Sequence, residues 1–102
     1  MGLGYALSEQ LLFDPQTGKP LNNNFRDYKL MTAMDTPTIG VDFVETDDPT
    51  GPYGNKALGE PPAISPAPAI RNAILDATGV EINELPMGPQ CLFEKFKAAG
   101  FI

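Results

Sequence analysis

Histidine is absent from this 102-residue chain, and cysteine occurs once, at Cys91. No disulfide can close within the chain, and no zinc or iron-sulfur site can be assembled from its own residues. Positive charge is scarce too, with seven Lys and Arg against thirteen Asp and Glu and a net charge of −6. The basic residues are scattered rather than interleaved with aromatics, which argues against nucleic acid as a partner. No apolar run reaches the length that spans a bilayer, and the N-terminus lacks a basic stretch followed by an apolar one. A cytoplasmic chain with no membrane partner is expected. There is no internal repeat and no low-complexity tract, so residues 1–102 read as one unit. A free domain of this length can bury roughly two-thirds of its unfolded surface.

The pattern of elements predicts an α/β or α+β arrangement of short strands and helices. Gly2 to Gln10 carries Leu3, Ala6, Leu7 and Gln10 at helical spacing, as the last turns of a helix would. Pro15-Gln16-Thr17-Gly18-Lys19 is a turn signal and predicts a β-hairpin. A calcium loop beginning at Asp14 is excluded, because Phe25 stands where the bidentate glutamate is needed. Asn22-Asn23-Asn24 reads as a surface loop, and Asp27 and Tyr28 read first as structural residues, with a functional role as the alternative. Ile39, Val41, Phe43 and Glu45 alternate with Gly40, Asp42 and Val44, the signature of a strand with one apolar face. Thr46 to Pro52 is dense in turn formers, and its acids read as solvated rather than metal-binding.

The clearest helix begins at Ser65 as N-cap, with Pro66 at the first helical position, and ends at Gly79 in the left-handed position. Ala67, Ile70, Ala73, Ile74 and Ala77 form its apolar stripe. Val80 and Ile82 then alternate as a short strand, and Pro89 opens a last helix anchored by Leu92, Phe93 and Phe96. Cys91 on that helix reads as a half-buried side chain, since no histidine exists to activate it as a nucleophile.

Candidate chemistry concentrates in Gly54-Asn55-Lys56-Ala57-Leu58-Gly59-Glu60, followed by Pro61 and Pro62. Proline biases the preceding residue towards extended geometry, so Glu60 is expected to be aimed by its neighbours. Gly59 lets a ligand approach the main chain, and Ala57, Leu58, Pro61 and Pro62 surround the acid with apolar atoms that would raise its pKa towards that of a useful general base. The phosphate-loop alternative fails, because Glu60 and Pro61 stand where a Lys and a hydroxyl residue are required. On spacing alone, a lone glutamate in such a loop reads first as a solvated turn before a helix, and the functional reading comes second.

The run Gly54 to Pro62, followed by Ala69-Ile70-Arg71-Asn72-Ala73-Ile74, resembles the C-terminal part of the molybdenum-binding subunit of the xanthine dehydrogenase and aldehyde oxidase family. Gly2-Leu3-Gly4-Tyr5-Ala6-Leu7-Ser8-Glu9, Phe25-Arg26-Asp27-Tyr28-Lys29 and Glu84-Leu85-Pro86 resemble further segments of it, so the likeness covers nearly the whole chain. Ala57 departs from the pattern, standing where many members have a second glycine. The resemblance implies that residues 1–102 are a single C-terminal segment of a molybdopterin-binding domain. Glu60 would then be the active-site base of a hydroxylase acting on an aldehyde or nitrogen heterocycle with oxygen from water.

Lys56, Ala57, Leu58 and Gly59 would lie beside the molybdenum-pterin cofactor, with Lys56 equally open to a structural ion pair. Iron-sulfur and FAD groups would reside on other domains or subunits. The remainder of the molybdenum-binding subunit would be the main partner, with self-association through unpaired apolar faces also expected. The isolated chain would be inactive and would hold no metal of its own. A non-catalytic folded fragment or protein-interaction module is the alternative.

Overall fold

Four helices and long connecting segments make up the computed structural model, which describes residues 1–102. They are α1 (Gly2–Leu7), α2 (Glu60–Ile64), α3 (Pro66–Thr78) and α4 (Pro89–Ala98), with a 3-10 turn at Pro52–Gly54. Both α3 and α4 start on a proline whose missing N–H falls among the groups a helix leaves unpaired anyway. Gly79 closes α3 at φ 71°, ψ 2° and donates its N–H to Leu75 O at 2.7 Å. This is the left-handed cap expected there.

At six residues α1 is too short to stand alone, and packing stabilises it. Its Ala6 is fully buried with Ile82 and Met87, and Leu7, Ala67, Ile70, Ile74, Cys91 and Leu92 pack around these three. Met87 N–H donates to Ala6 O at 2.7 Å, tying the segment before α4 to α1. A Cβ on Gly2 would meet Pro66 Cγ at 2.6 Å and Ala63 O at 2.7 Å, so α1 docks against the α2–α3 junction only because Gly2 has none. Of the expected α3 stripe, Ala67, Ile70 and Ile74 face this core while Ala73 and Ala77 are exposed. In α4, Leu92 reaches the core, Phe93 is exposed, and Phe96 meets Phe101 at a centroid distance of 5.9 Å.

The expectation of a mixed strand-helix fold is not met, since the molecule is helical and has no sheet. One antiparallel bridge, Phe13 with Pro20, closes the turn at Pro15–Lys19. The residues from Ile39 to Glu45 run without helix or ladder, and between Thr36 and Asp47 no backbone group bonds to another. A strand needs a neighbour to pair with, and none lies within reach. Val80–Ile82 is not a strand either. Ile82 is held beneath α3, with Arg71 donating through Nε to Ile82 O at 3.3 Å and through a terminal nitrogen to Asn83 Oδ1 at 3.1 Å.

Ser65 does not act as an N-cap. It sits in the right-handed helical region, because α2 runs almost directly into α3, and its hydroxyl donates to Pro61 O at 3.3 Å. Asn22 differs from the surface residue expected. It is 92% removed from solvent, receives Leu12 N–H at 2.8 Å and donates to Gln10 O at 2.7 Å.

Five of 102 residues are buried, and the radius of gyration is 17.9 Å. A compact domain of this length has a radius near 13 Å. The chain therefore forms one small core around α1, α3 and the start of α4, with the remainder spread over it rather than packed into it.

Candidate functional site

Asp48 organises the approach to the candidate loop. Its carboxylate receives Thr50 Oγ1–H at 2.6 Å and Thr50 N–H at 2.8 Å on one oxygen, and Lys56 Nζ at 2.9 Å on the other. Its own N–H donates to Gly54 O at 2.9 Å, closing residues 48–54 into a loop. The Thr50 bonds first, and Lys56 second, lower the Asp48 pKa to about 2. The turn-rich sequence predicts solvated acids here, and Asp48 is instead bonded to Thr50 and Lys56. The signal that could have singled out Asp48 is Asp48-Pro49-Thr50-Gly51, in which an aspartate accepts bonds from the residue two places on.

Lys56 is thus engaged in an ion pair, the structural alternative considered for it, with its side chain still largely exposed. Beyond it, Lys56, Ala57 and Leu58 line an open cleft of about 820 Å³ with Val44, Glu45 and Tyr53. Gly59 and Glu60 do not line that cleft but follow directly on its rim. Nothing lies within 4 Å of the position a Cβ on Gly59 would take, so the main chain there is open to a large group.

Glu60 is the first residue of α2, with Pro61 and Pro62 in the same turn and no capping bond from Gly59. The extended geometry expected of a residue before proline is overridden, because a helix start tolerates prolines that lack an N–H. Glu60, Ala57, Leu58, Pro61 and Pro62 are all exposed. The apolar surround anticipated for the carboxylate exists as a surface, not as an enclosure. Lys56 to Glu60 therefore form a one-sided wall with a cation, accessible main chain and a carboxylate, able to flank a bound anionic group but not to enclose it. No three His, Cys, Asp or Glu side chains converge on a point where they could hold a metal ion.

The other singled-out residues lie elsewhere. Tyr28 donates its hydroxyl to Glu9 Oε2 at 2.9 Å, and this bond raises the tyrosine pKa. Asp27 receives the Asn24 amide at 3.1 Å, and Ser8 Oγ donates to Lys29 O at 2.8 Å. The Tyr28 and Ser8 bonds fasten residues 28–29 to the segment that follows α1, and the Asn24–Asp27 bond is internal to its own turn. Cys91 is half-buried, and burial first, then the Glu84 carboxylate 3.5 Å from its sulfur, push its thiol pKa up. No helix is long and apolar enough to cross a membrane.

Comparison with known proteins extends this picture. A family model described as a molybdopterin cofactor-binding domain matches residues 1–37. The putative xanthine dehydrogenase molybdenum-binding subunit XdhA of Escherichia coli (strain K12) is 49% identical over 102 residues, covering all of this chain and 14% of that protein. The 6-hydroxypseudooxynicotine dehydrogenase complex subunit gamma of Paenarthrobacter nicotinovorans is 38% identical over 98 residues, 92% of this chain and 12% of its own length. The aldehyde oxidoreductase molybdenum-binding subunit PaoC of E. coli (strain K12) is 32% identical over 96 residues, 93% of this chain and 13% of its own. The chain thus spans about one-seventh of the length of these curated relatives, and the similarity runs through the Lys56–Glu60 loop, beyond the reach of the family model.

Proposed function

We propose that this chain, a match along its whole length to molybdenum-binding subunits of the xanthine dehydrogenase and aldehyde oxidase family, contributes the general base and one wall of the cofactor site to a molybdenum hydroxylase. In this reading the whole enzyme oxidises an aldehyde or an aromatic nitrogen heterocycle with an oxygen taken from water. The molybdenum-pterin cofactor, when bound, supplies the redox chemistry, and the protein supplies position and proton transfer. Glu60 accepts the proton of the water-derived nucleophile on a carboxylate oxygen. Gly59 leaves the main chain open to the bound group, and Lys56 with the backbone of Ala57 and Leu58 flanks it. Iron-sulfur and FAD groups would reside on other domains or subunits of a cytoplasmic complex and would supply its electron-transfer chemistry, and the 102 residues alone are inactive.

One observation carries the reading. An exposed carboxylate follows an unobstructed glycine on the rim of a cleft whose own residues close only one side of it. Such a wall has chemistry to do only when the rest of a larger subunit covers it. Covering Ala57, Leu58, Pro61 and Pro62 would also shield Glu60 from bulk water. The competing reading, a free-standing interaction module, gains little from a chain that buries five residues.

The test is to purify the full-length subunit with its partners, measure molybdenum, and assay aldehyde and heterocycle oxidation in isotopically labelled water. Molybdenum together with label in the product is expected. A colourless, metal-free protein, or product oxygen drawn from dioxygen, would overturn the proposal.

A further inference from the structure

We infer that Asp48 is a positioning residue for Glu60, acting through Lys56, whose ammonium it holds so as to fix where the chain enters the stretch that carries the carboxylate. This rests on the reading of Glu60 as the base of a larger enzyme. Between Lys56 and α2 the main chain has no hold of its own. No N–H or C=O of Lys56, Ala57 or Leu58 bonds to another main-chain group, and nothing lies within 4 Å of the place a Cβ on Gly59 would take. The bond from Lys56 Nζ to Asp48 Oδ2 at 2.9 Å is therefore the last fixed point before Glu60 opens α2.

The other end of that bond is already in place before Lys56 reaches it. One Asp48 oxygen receives Thr50 through both its hydroxyl and its N–H, which leaves the second oxygen for the ammonium. The loop around it is closed by the main chain, with Gly51 N–H donating to Asp48 O at 3.2 Å and Gly54 N–H to Gly51 O at 3.1 Å, besides the Asp48 N–H bond to Gly54 O. Two glycines permit this closure. A Cβ on Gly54 would meet Asp47 Oδ1 at 2.5 Å, and one on Gly51 would collide with Asn55 O. The Asp48 side chain is accordingly only 19% exposed, against 61% for Lys56. An exposed ion pair adds little to stability, because water competes for both charges and a long side chain loses its freedom. What this one supplies is direction. A reacting group misplaced by about 1 Å can lower a rate by about 100-fold, so a contact that barely moves the stability of the fold can still govern turnover.

The experiment uses the full-length subunit with its partners and compares Asp48→Asn, Lys56→Met and the double variant, with Glu60→Gln measured alongside. Asp48→Asn keeps an oxygen for both Thr50 bonds and puts an amide that can only donate where Lys56 bonds. It is expected to lower kcat by about 10- to 100-fold, to leave KM, molybdenum content and melting temperature close to those of the parent, and to speed hydrogen exchange over residues 56–60. In the Lys56→Met background Asp48→Asn should cost nothing further, because its route to Glu60 is already gone. An equal loss in both backgrounds would overturn the inference, since Asp48 would then act without Lys56, and so would unchanged kcat and exchange in Asp48→Asn. If Asp48→Asn does not accumulate, Lys56→Met decides, because it leaves Asp48 and its Thr50 bonds in place: faster exchange over residues 57–60 upholds the inference and unchanged exchange overturns it. A Glu60→Gln enzyme at the wild-type rate would remove the base reading, whereas faster exchange in Asp48→Asn would still uphold the hold on the loop, so the two fail separately.

Discussion

Replacing Gly79 and Gly59 by alanine, one at a time, is expected to shift the stability of the chain in opposite directions. At both positions nothing lies within 4 Å of where the new methyl would sit, so neither substitution creates a clash and only the backbone distinguishes them. Gly79 is held at φ 71°, where an L-residue costs about 1–2 kcal/mol relative to the right-handed region, and its N–H bond to Leu75 stays in place. Gly59 sits at φ −78°, ψ −44°, already helical, where an alanine restricts the unfolded chain and contributes about 0.4–1 kcal/mol. The two variants should therefore differ by roughly 1.5–3 kcal/mol, with Gly79→Val at least as damaging as Gly79→Ala. Urea unfolding followed by helical circular dichroism reads the difference. Equal midpoints, or a more stable Gly79→Ala, would refute the assignment of Gly79 as the left-handed end of α3. In the full enzyme the same methyl on Gly59 should lower turnover despite the gain in stability, because it occupies the open approach beside Glu60.

Asn22→Ala should cost about 1–3 kcal/mol, since it strands the Leu12 N–H and Gln10 O in a part-buried position, and exchange at the Leu12 amide should speed up. Asn23→Ala, an exposed neighbour, should leave that amide unchanged. Acidification should open the loop around Asp48. Its pKa is depressed from 3.8 to about 2, so the stabilisation it brings is complete above about 4 and is lost as pH falls through about 2. Nuclear magnetic resonance of the Thr50 amide between pH 5 and pH 1.5 checks this, and an Asp48 that titrates at the ordinary value would contradict it. Lys56→Ala should move the titration only part of the way back, because the Thr50 bonds dominate the shift.

The features legible in the sequence were those set by one residue's own geometry. Pro66 and Pro89 marked the starts of α3 and α4, Gly79 marked the end of α3, and Pro15 to Lys19 marked the tight turn, because proline and left-handed glycine act locally. The fold class was not legible, because Ile39 to Glu45 has the alternation of a strand but a strand is completed by its neighbour, which these residues do not include. Ser65 had the chemistry of a cap, yet the helical turn of Glu60–Ile64 just before it took that place. Asn22 and Asp48 escaped notice because their partners lie two to twelve residues away and no periodicity records a side chain folding back on the main chain. Of the candidate site, the sequence singled out Glu60 and its loop as a proposal, and the structure added that Lys56 is tied to Asp48 and that the apolar residues around the acid lie open.

The claim on which the account turns is that Glu60 is a base in a larger enzyme rather than the solvated first residue of α2. Glu60→Gln keeps the shape of the side chain and removes its ability to accept a proton, while the loop geometry set by Gly59 and Pro61 is untouched. The decisive measurement is steady-state turnover of the full-length enzyme carrying Glu60→Gln, with molybdenum content determined on the same sample. The account predicts unchanged molybdenum and a rate lowered by about 100- to 10,000-fold, the range for loss of a general base. A variant that holds its molybdenum and turns over at the wild-type rate would contradict it.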